Sequence, residues 1–233
     1  MRILIANDDG VNSEGILILA NAAKKFGEVI VVAPLTEQSA KSHAITIRSG
    51  MTYHEMSDIT EGVKTYALEA SPADCVRFAK YYLNDEYDIV FSGINNGFNL
   101  GEDILYSGTV GAASEGVLTK AKAIAFSTKH NNFQYAKNWI DQTIEYIFTN
   151  KLLDKTDLLN VNIPLEPKGI KITKQGTTNF QTHFTYQEGM VWQKGKPDFS
   201  LDKDIDSDVK AVNDGYISIS PLTVDRTDHK FFS

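Results

Sequence analysis

Cysteine is nearly missing from this chain. Among 233 residues only Cys75 carries a thiol, so no internal disulfide can form and no thiolate metal cluster can be built. Cys75 falls within an apolar helical pattern and reads as a core residue. A basic excess is missing too: 23 Lys and Arg stand against 30 Asp and Glu, a formal net charge of −7. A surface that binds a nucleic-acid duplex needs clustered cations to displace counterions, so duplexes are not expected as partners. A small anionic substrate stays compatible, because a bound metal can reverse the local sign inside an acidic protein. No apolar run is long enough to span a bilayer, and the chain opens on a strand rather than on a basic stretch followed by a long apolar segment. No membrane association and a cytoplasmic setting are therefore expected. Neither Gly-x-Gly-x-x-Gly after a strand nor Gly-Lys-Ser/Thr occurs, which sets aside a dinucleotide oxidoreductase and a P-loop. No repeat or low-complexity segment is visible.

What is present is an alternation of strands and helices, the pattern of an α/β protein with a Rossmann-like, mostly parallel sheet and helices on both faces. Buried strands are expected at Arg2 to Ala6, Glu28 to Ala33, Asp88 to Ser92, Ala123 to Ser127 and Leu158 to Asn162. Shorter β-like stretches lie around Ala44 to Ile47, Met51 to Glu55 and Thr65 to Glu69. Ile16, Leu19, Ala20, Ala23 and Phe26 recur at helical spacing after Asn12 and Ser13, either of which can cap the helix. Ser71-Pro72 opens a second helix, Thr109 a third and Phe133 a fourth. From Ile170 to Lys194 the pattern changes to short alternation rich in Thr, Gln, Tyr and Trp, which suggests hairpins outside the main sheet, with Phe184, Tyr186 and Trp192 packing on a partner subunit or on their own domain. Gly215 to Pro221 reads as a last strand. The expected organisation is one domain, 1–233, with a core over 1–165 and a β-hairpin arm and C-terminal segment over 166–233.

Polar residues gather where these strands end. The turn after the first strand is Asn7-Asp8-Asp9-Gly10; the loop after the second holds Thr36, Gln38, Ser39, Ser42 and His43; the loop after Asp88 to Ser92 holds Asn95, Asn96 and Asn99. In an open parallel sheet ligands bind at the carboxyl ends of the strands, so three separate loops converge on one crevice. Two adjacent carboxylates beside an apolar strand repel each other and resist desolvation, a cost that a cation between them offsets; a solvated acidic turn is the plain alternative. Asp8, Asp9, the Ser39 hydroxyl and the Asn95 amide together form an all-oxygen ligand set suited to Mg²⁺, Mn²⁺ or Ca²⁺. Tyr106-Ser107-Gly108-Thr109-Val110 places hydroxyls and a glycine at a helix start, which serves as a cap, an anion site, or both. His43 is the only histidine in a presumed site loop and reads as peripheral or substrate-side, and Glu102 and Asp103 as rim residues. Asp202, Asp204, Asp206 and Asp208 alternate like a calcium loop, but Ser207 stands at the glycine position and Asn213 at the glutamate position, so a solvated loop leading into a Ser207-capped helix is expected.

The chain resembles the survival protein E (SurE) nucleotidases. The matching segments are Ile3-Leu4-Ile5-Ala6-Asn7-Asp8-Asp9-Gly10 with Gly15; Ala33-Pro34 and Gln38-Ser39-Ala40; Ser92-Gly93-Ile94-Asn95-Asn96-Gly97 with Asn99; and Tyr106 to Val110 with Ala113, Glu115 and Gly116. Asn160-Val161-Asn162-Ile163-Pro164 and Gly215 to Leu222 are similar to the family's closing motifs. One departure is Ala40, where many members have glycine after the serine. The resemblance implies a metal-dependent phosphomonoesterase acting on nucleoside 5′- and 3′-monophosphates, and in some members on short polyphosphate. It implies one divalent ion, Mg²⁺ or Mn²⁺, on Asp8, Asp9, Ser39 and Asn95, with phosphate contacts at Asn96, Ser107, Gly108 and Thr109. It also implies a homodimer or homotetramer joined through the C-terminal arm.

On this reading the metal polarises a phosphoryl oxygen, Asn96, Ser107 and Thr109 neutralise charge on the others, and Asp9 accepts a proton from water or Asp8 attacks directly. Asp8, Asp9 and Asn96 are thus the expected catalytic residues. A haloacid-dehalogenase-type phosphatase needs Asp-x-Asp, whereas here the acids are adjacent. A response-regulator receiver needs a phosphoacceptor Asp where Ser92-Gly93 stands. A metal-dependent phosphate- or nucleotide-binding signalling module without turnover is the alternative from another class.

Overall fold

Ile3 and Ile5 point to one side of the first strand, Leu4 and Ala6 to the other, and all four are fully buried, so the strand must lie between two layers. The computed structural model, which describes residues 1–232, builds those layers as the sequence pattern predicts. In chain order the elements are β1 (Arg2–Ala6), α1 (Glu14–Ala23), β2 (Glu28–Pro34), β3 (Tyr53–Met56), β4 (Lys64–Leu68), α2 (Pro72–Tyr81), β5 (Ile89–Asn96), α3 (Gly108–Leu118), β6 (Lys122–Thr128), α4 (Phe133–Thr149) and β7 (Leu158–Ile163). They are followed by β8 (Ile170–Ile172), β9 (Asn179–Phe180), β10 (His183–Gln187), β11 (Met190–Lys194), β12 (Pro197–Asp198), α5 (Asp208–Asn213) and β13 (Ile217–Leu222).

Nine strands form one sheet in the order β3-β4-β2-β1-β5-β6-β7-β13-β8. From β4 to β7 every neighbouring pair is parallel; β3 on β4 and β13 on β7 are antiparallel. Bulky residues fill one face, where Phe91 and Phe126 meet edge to face at 5.5 Å under Ile16, Leu19, Ile140 and Ile144 of α1 and α4. Small residues line the other, where Ala6, Ala123 and Ala125 let Ala112 and Ala113 of α3 sit close, beside Cys75 and Val76 of α2. Cys75 is buried, as expected. No helix among the described residues is long and apolar enough to cross a membrane.

Three expectations need correction. Residues 44–47 form no strand. The Thr46 amide and hydroxyl both donate to the Asp74 carboxylate, and the Ser71 hydroxyl donates to the Ala44 carbonyl at 2.6 Å. This segment therefore satisfies its polar groups on the capped start of α2 instead of in a ladder. Strand β5 runs on to Asn96, past the expected end at Ser92, after a shift in its pairing with β6 between Ser92 and Asn95. Asn95 and Asn96 are thus strand residues. The stretch from Ile170 to Lys194 is not wholly outside the main sheet either, because β8 joins that sheet beside β13. The arm proper is the β10–β11 hairpin, with the short β9–β12 pair beside it. Phe184 and Tyr186 on this hairpin are 64% and 76% exposed, so they do not pack on their own domain.

Candidate active site

The chain leaves β1 for β2 on one side and returns to β5 on the other, so the sheet's switch point lies between the carboxyl ends of β1 and β5. Asn7 shapes the turn there. Its buried amide donates to the Gly10 carbonyl at 2.9 Å and to the Ser13 hydroxyl at 2.8 Å, and Ser13 in turn caps α1. Fixing that turn sends the two acids different ways. Asp8 is buried against the start of α3, where its Oδ1 accepts from the Thr109 hydroxyl. Asp9 is partly buried toward β5, where its Oδ2 accepts from the Asn96 amide at 2.8 Å.

Burial raises the Asp8 carboxyl above the usual range, against the Thr109 hydroxyl and the backbone amides of Thr109 and Gly108, which favour its charged form. Asp9 is pushed up to about 6, first by burial and then by the neighbouring Asp8 charge. Gly108 is what lets α3 come this near. A Cβ there would stand 2.9 Å from the Asp8 Cβ and 3.0 Å from its Oδ2. The helix start expected to face an anion therefore does face one, namely Asp8 itself.

Asp8, Asp9, Ser39, Asn95, Asn96 and Ser107 line one cavity of about 750 Å³. Ser39 is held beside Asp8 because the preceding Gln38 amide donates to the Asp8 carbonyl at 2.7 Å; its hydroxyl donates to Glu37 at 2.5 Å. Asn95 donates through Nδ2 to the Gly97 carbonyl at 2.7 Å, which leaves its amide oxygen for a ligand. Ser107 caps α3 by accepting the Val110 amide, so its hydroxyl hydrogen is not used by that bond. Gly108 and Thr109 are buried behind Asp8 and do not reach the cavity wall. Asn96 lines the wall, but its side chain is occupied. Its Oδ1 accepts from the Asn131 amide at 2.7 Å and its Nδ2 donates to Asn131 at 3.3 Å.

The donor set suits a hard divalent cation. Two carboxylates whose charged forms are disfavoured by burial stand beside a hydroxyl and an amide oxygen, with no nitrogen or sulfur among them. Among the described residues no group of three or more His, Cys, Asp and Glu side chains is placed to hold a metal, so the set depends on its two neutral members. The Asp202 to Asp208 run is no exception. Ser207 caps α5 as expected, and the buried Asp208 accepts amides of Gly101 and Gly176.

His43 is not at this site. Positive φ at Ala40 and Ser42 turns the loop away, and the ring binds Glu115 at 2.7 Å, whose other oxygen takes Arg77 at 2.9 Å. It lines a separate cavity of about 360 Å³. The histidine in the main cavity is His130, two residues beyond β6. The pairing of Asn96 with Thr128 carries it there, so applying the strand-end rule to the strand ending at Ser127 would have found it. Sequence reasoning also missed the outer wall, where Phe180, Thr182 and Gln193 of the C-terminal segment join Phe98, Tyr106 and Asp103. Glu102, expected at the rim, instead holds that segment through Thr178. Asn160 and Asn162 support the floor, both donating to the Asn99 carbonyl, at 2.9 and 3.0 Å.

Residues 3–182 match the family model described as Survival protein SurE. The chain is 39% identical over 246 residues to the 5′-nucleotidase SurE of Alkaliphilus metalliredigens, covering 100% of this chain and 96% of that protein. It is 42% identical over 241 residues to the 5′-nucleotidase SurE of Pelotomaculum thermopropionicum, covering 99% and 92%. It superimposes on the crystal structure of the SurE protein from Aquifex aeolicus with a TM-score of 0.82 and 33% identity, over 99% of this chain and 96% of that one.

Proposed function

The chain belongs to the survival protein SurE family, and from that premise we propose that it is a metal-dependent 5′-nucleotidase hydrolysing nucleoside 5′-monophosphates to nucleoside and phosphate in the cytoplasm. Nucleoside 3′-monophosphates and short polyphosphate are included as further substrates. The observation that carries the reading is the Asp8 and Asp9 pair. Two adjacent carboxyls, both raised by burial, close the floor of a cavity whose size suits a small organic ligand. Mg²⁺ or Mn²⁺ would be held by Asp8, Asp9, Ser39 and Asn95, and when bound it supplies Lewis acidity toward a phosphoryl oxygen.

The remaining work falls to the chain. Asp9 has one hydrogen-bond partner from Asn96 and faces the cavity, so it is the acid placed to accept a proton from the attacking water. Asp8 is fixed by Thr109 and the amides at the start of α3, and orients what binds beside it. The Ser107 hydroxyl keeps its hydrogen for a phosphate oxygen. Phe98, Tyr106 and Phe180 give the outer wall aromatic surface on which a base can stack. The exposed Phe184, Tyr186 and Trp192 of the hairpin support a homodimer or homotetramer joined there.

Phosphate release from a panel of 5′- and 3′-mononucleotides and short polyphosphate tests this, using chelator-treated protein with Mg²⁺ or Mn²⁺ restored and Asp8→Asn in parallel. Metal-dependent turnover that disappears in Asp8→Asn is the expected result. No release from any substrate, with metal binding still lost in the variant, would leave a binding module without turnover.

A further inference from the structure

The proposed reaction leaves one demand unanswered. A nucleoside hydroxyl is a poor leaving group, and its departing oxygen needs a proton as the bond to phosphorus breaks. Asp8 and Asp9 serve the phosphate side. Among the residues lining the cavity, His130 is the one histidine, the side chain suited to donate a proton near neutral pH.

The orientation of that ring is set by hydrogen bonding. His130 Nδ1 lies 3.0 Å from the Asn96 carbonyl, and a carbonyl oxygen only accepts, so Nδ1 carries a hydrogen. Nε2 is then the nitrogen left for a ligand, and in the protonated ring it donates. The backbone around the ring is held as firmly. Asn131, with φ +54°, takes both the donor and the acceptor of the Asn96 side chain. Asn96 also donates its own amide to Asp9. One residue thus ties the acid on the phosphate side to the histidine loop across the cavity. Its side chain spends its oxygen and one of its two N–H donors on that loop.

We infer that His130 is a catalytic residue, giving its Nε2 proton to the departing nucleoside oxygen, and that Asn96 is the residue that positions it. The assignment rests on the phosphomonoesterase reading above. In the step, the ester bond between phosphorus and the nucleoside oxygen breaks, and its electron pair stays on that oxygen, which takes the proton from Nε2. The water oxygen joins phosphorus while Asp9 takes the water's proton. Asp9 then loses that proton to solvent and His130 regains one, so both residues return to their starting forms.

The test varies the leaving group. Steady-state rates are compared for a nucleoside 5′-monophosphate and for p-nitrophenyl phosphate, whose phenolate departs without help, in wild type, His130→Gln, Asn96→Ala and the double variant, with Mg²⁺ or Mn²⁺ present throughout. His130→Gln is expected to lower kcat on the nucleotide by about 10²-fold and on the aryl ester by no more than about threefold. Asn96→Ala keeps the backbone amide that Asp9 needs, so it should show the same selectivity, and the double variant should fall within about twofold of His130→Gln. Equal losses on both esters, or no loss on either, would overturn the assignment while leaving the phosphatase standing. A wild type inert toward both esters would instead remove the phosphatase reading, and this assignment with it. Circular dichroism of each variant separates these results from misfolding.

Discussion

Asp8 and Ser39 face the same cavity from walls of unlike construction. The inner wall is the junction of β1, β5 and the start of α3, where Asn7, Asp8 and Thr109 are buried and each is bonded to a neighbouring element or turn. The outer wall comes from the loop after β2 and from Phe180, Thr182 and Gln193, and both Ser39 and Phe180 are exposed. Charge must be held in place before a substrate arrives, and that requires a dry, packed setting. Recognition of the rest of the substrate needs only surface that can be reached and varied. On the proposed reading, the buried carboxylate chemistry sits on the sheet, and the loops and arm supply the more exposed surface that faces the outer part of a ligand.

Substitutions across the two walls should therefore differ in kind. Asp8→Asn, on the inner wall, is expected to lower metal-dependent phosphate release by about 10³-fold or more. Gly108→Ala places a methyl against the Asp8 side chain and Pro72. Urea unfolding should show a loss of about 1–3 kcal/mol from overpacking, and activity should fall with it. Ser39→Ala, on the outer wall, should raise the metal concentration for half-maximal activity by about tenfold, with kcat at saturating metal nearly unchanged. A Ser39→Ala loss as deep as that of Asp8→Asn would erase the distinction between the walls.

Asp9 sits between the walls and supplies an effect that no substitution is needed to see. Its carboxyl is raised from 3.8 to about 6 in the folded chain, so between those values the folded state holds a proton that the unfolded state has lost. Chelated protein should then lose stability as pH rises from about 4 to about 6 and change little above that from this group. Urea midpoints across this range measure it, and Mg²⁺ or Mn²⁺ should flatten the slope.

The sequence made the inner wall legible because it is local: an apolar strand, a turn and two acids within ten residues, and a capped helix start at Ser107. It did not reveal what depends on distant pairing. The segment around Thr46 has strand-like residues, yet Asp74, 28 positions away, takes its amide. His43 was closer in sequence to Ser39 than His130, but two residues of positive φ and the register of β5 on β6 exchanged their places. Nothing in the alternation of residues 179–194 indicates that Phe180 and Gln193 fold back over the cleft.

The position of β13 carries a further consequence, for the order in which the protein can be made. A ribosome delivers the chain from its first residue onward, and β3, β4, β2, β1, β5, β6 and β7 are contiguous in the sheet, so these seven strands can pair as they emerge. Strand β8 leaves the ribosome next, but its only neighbour in the sheet is β13, which comes after the whole arm. During synthesis the free edge of β7 therefore waits exposed, and residues 170–172 wait with it, until the segment 217–222 arrives to close both.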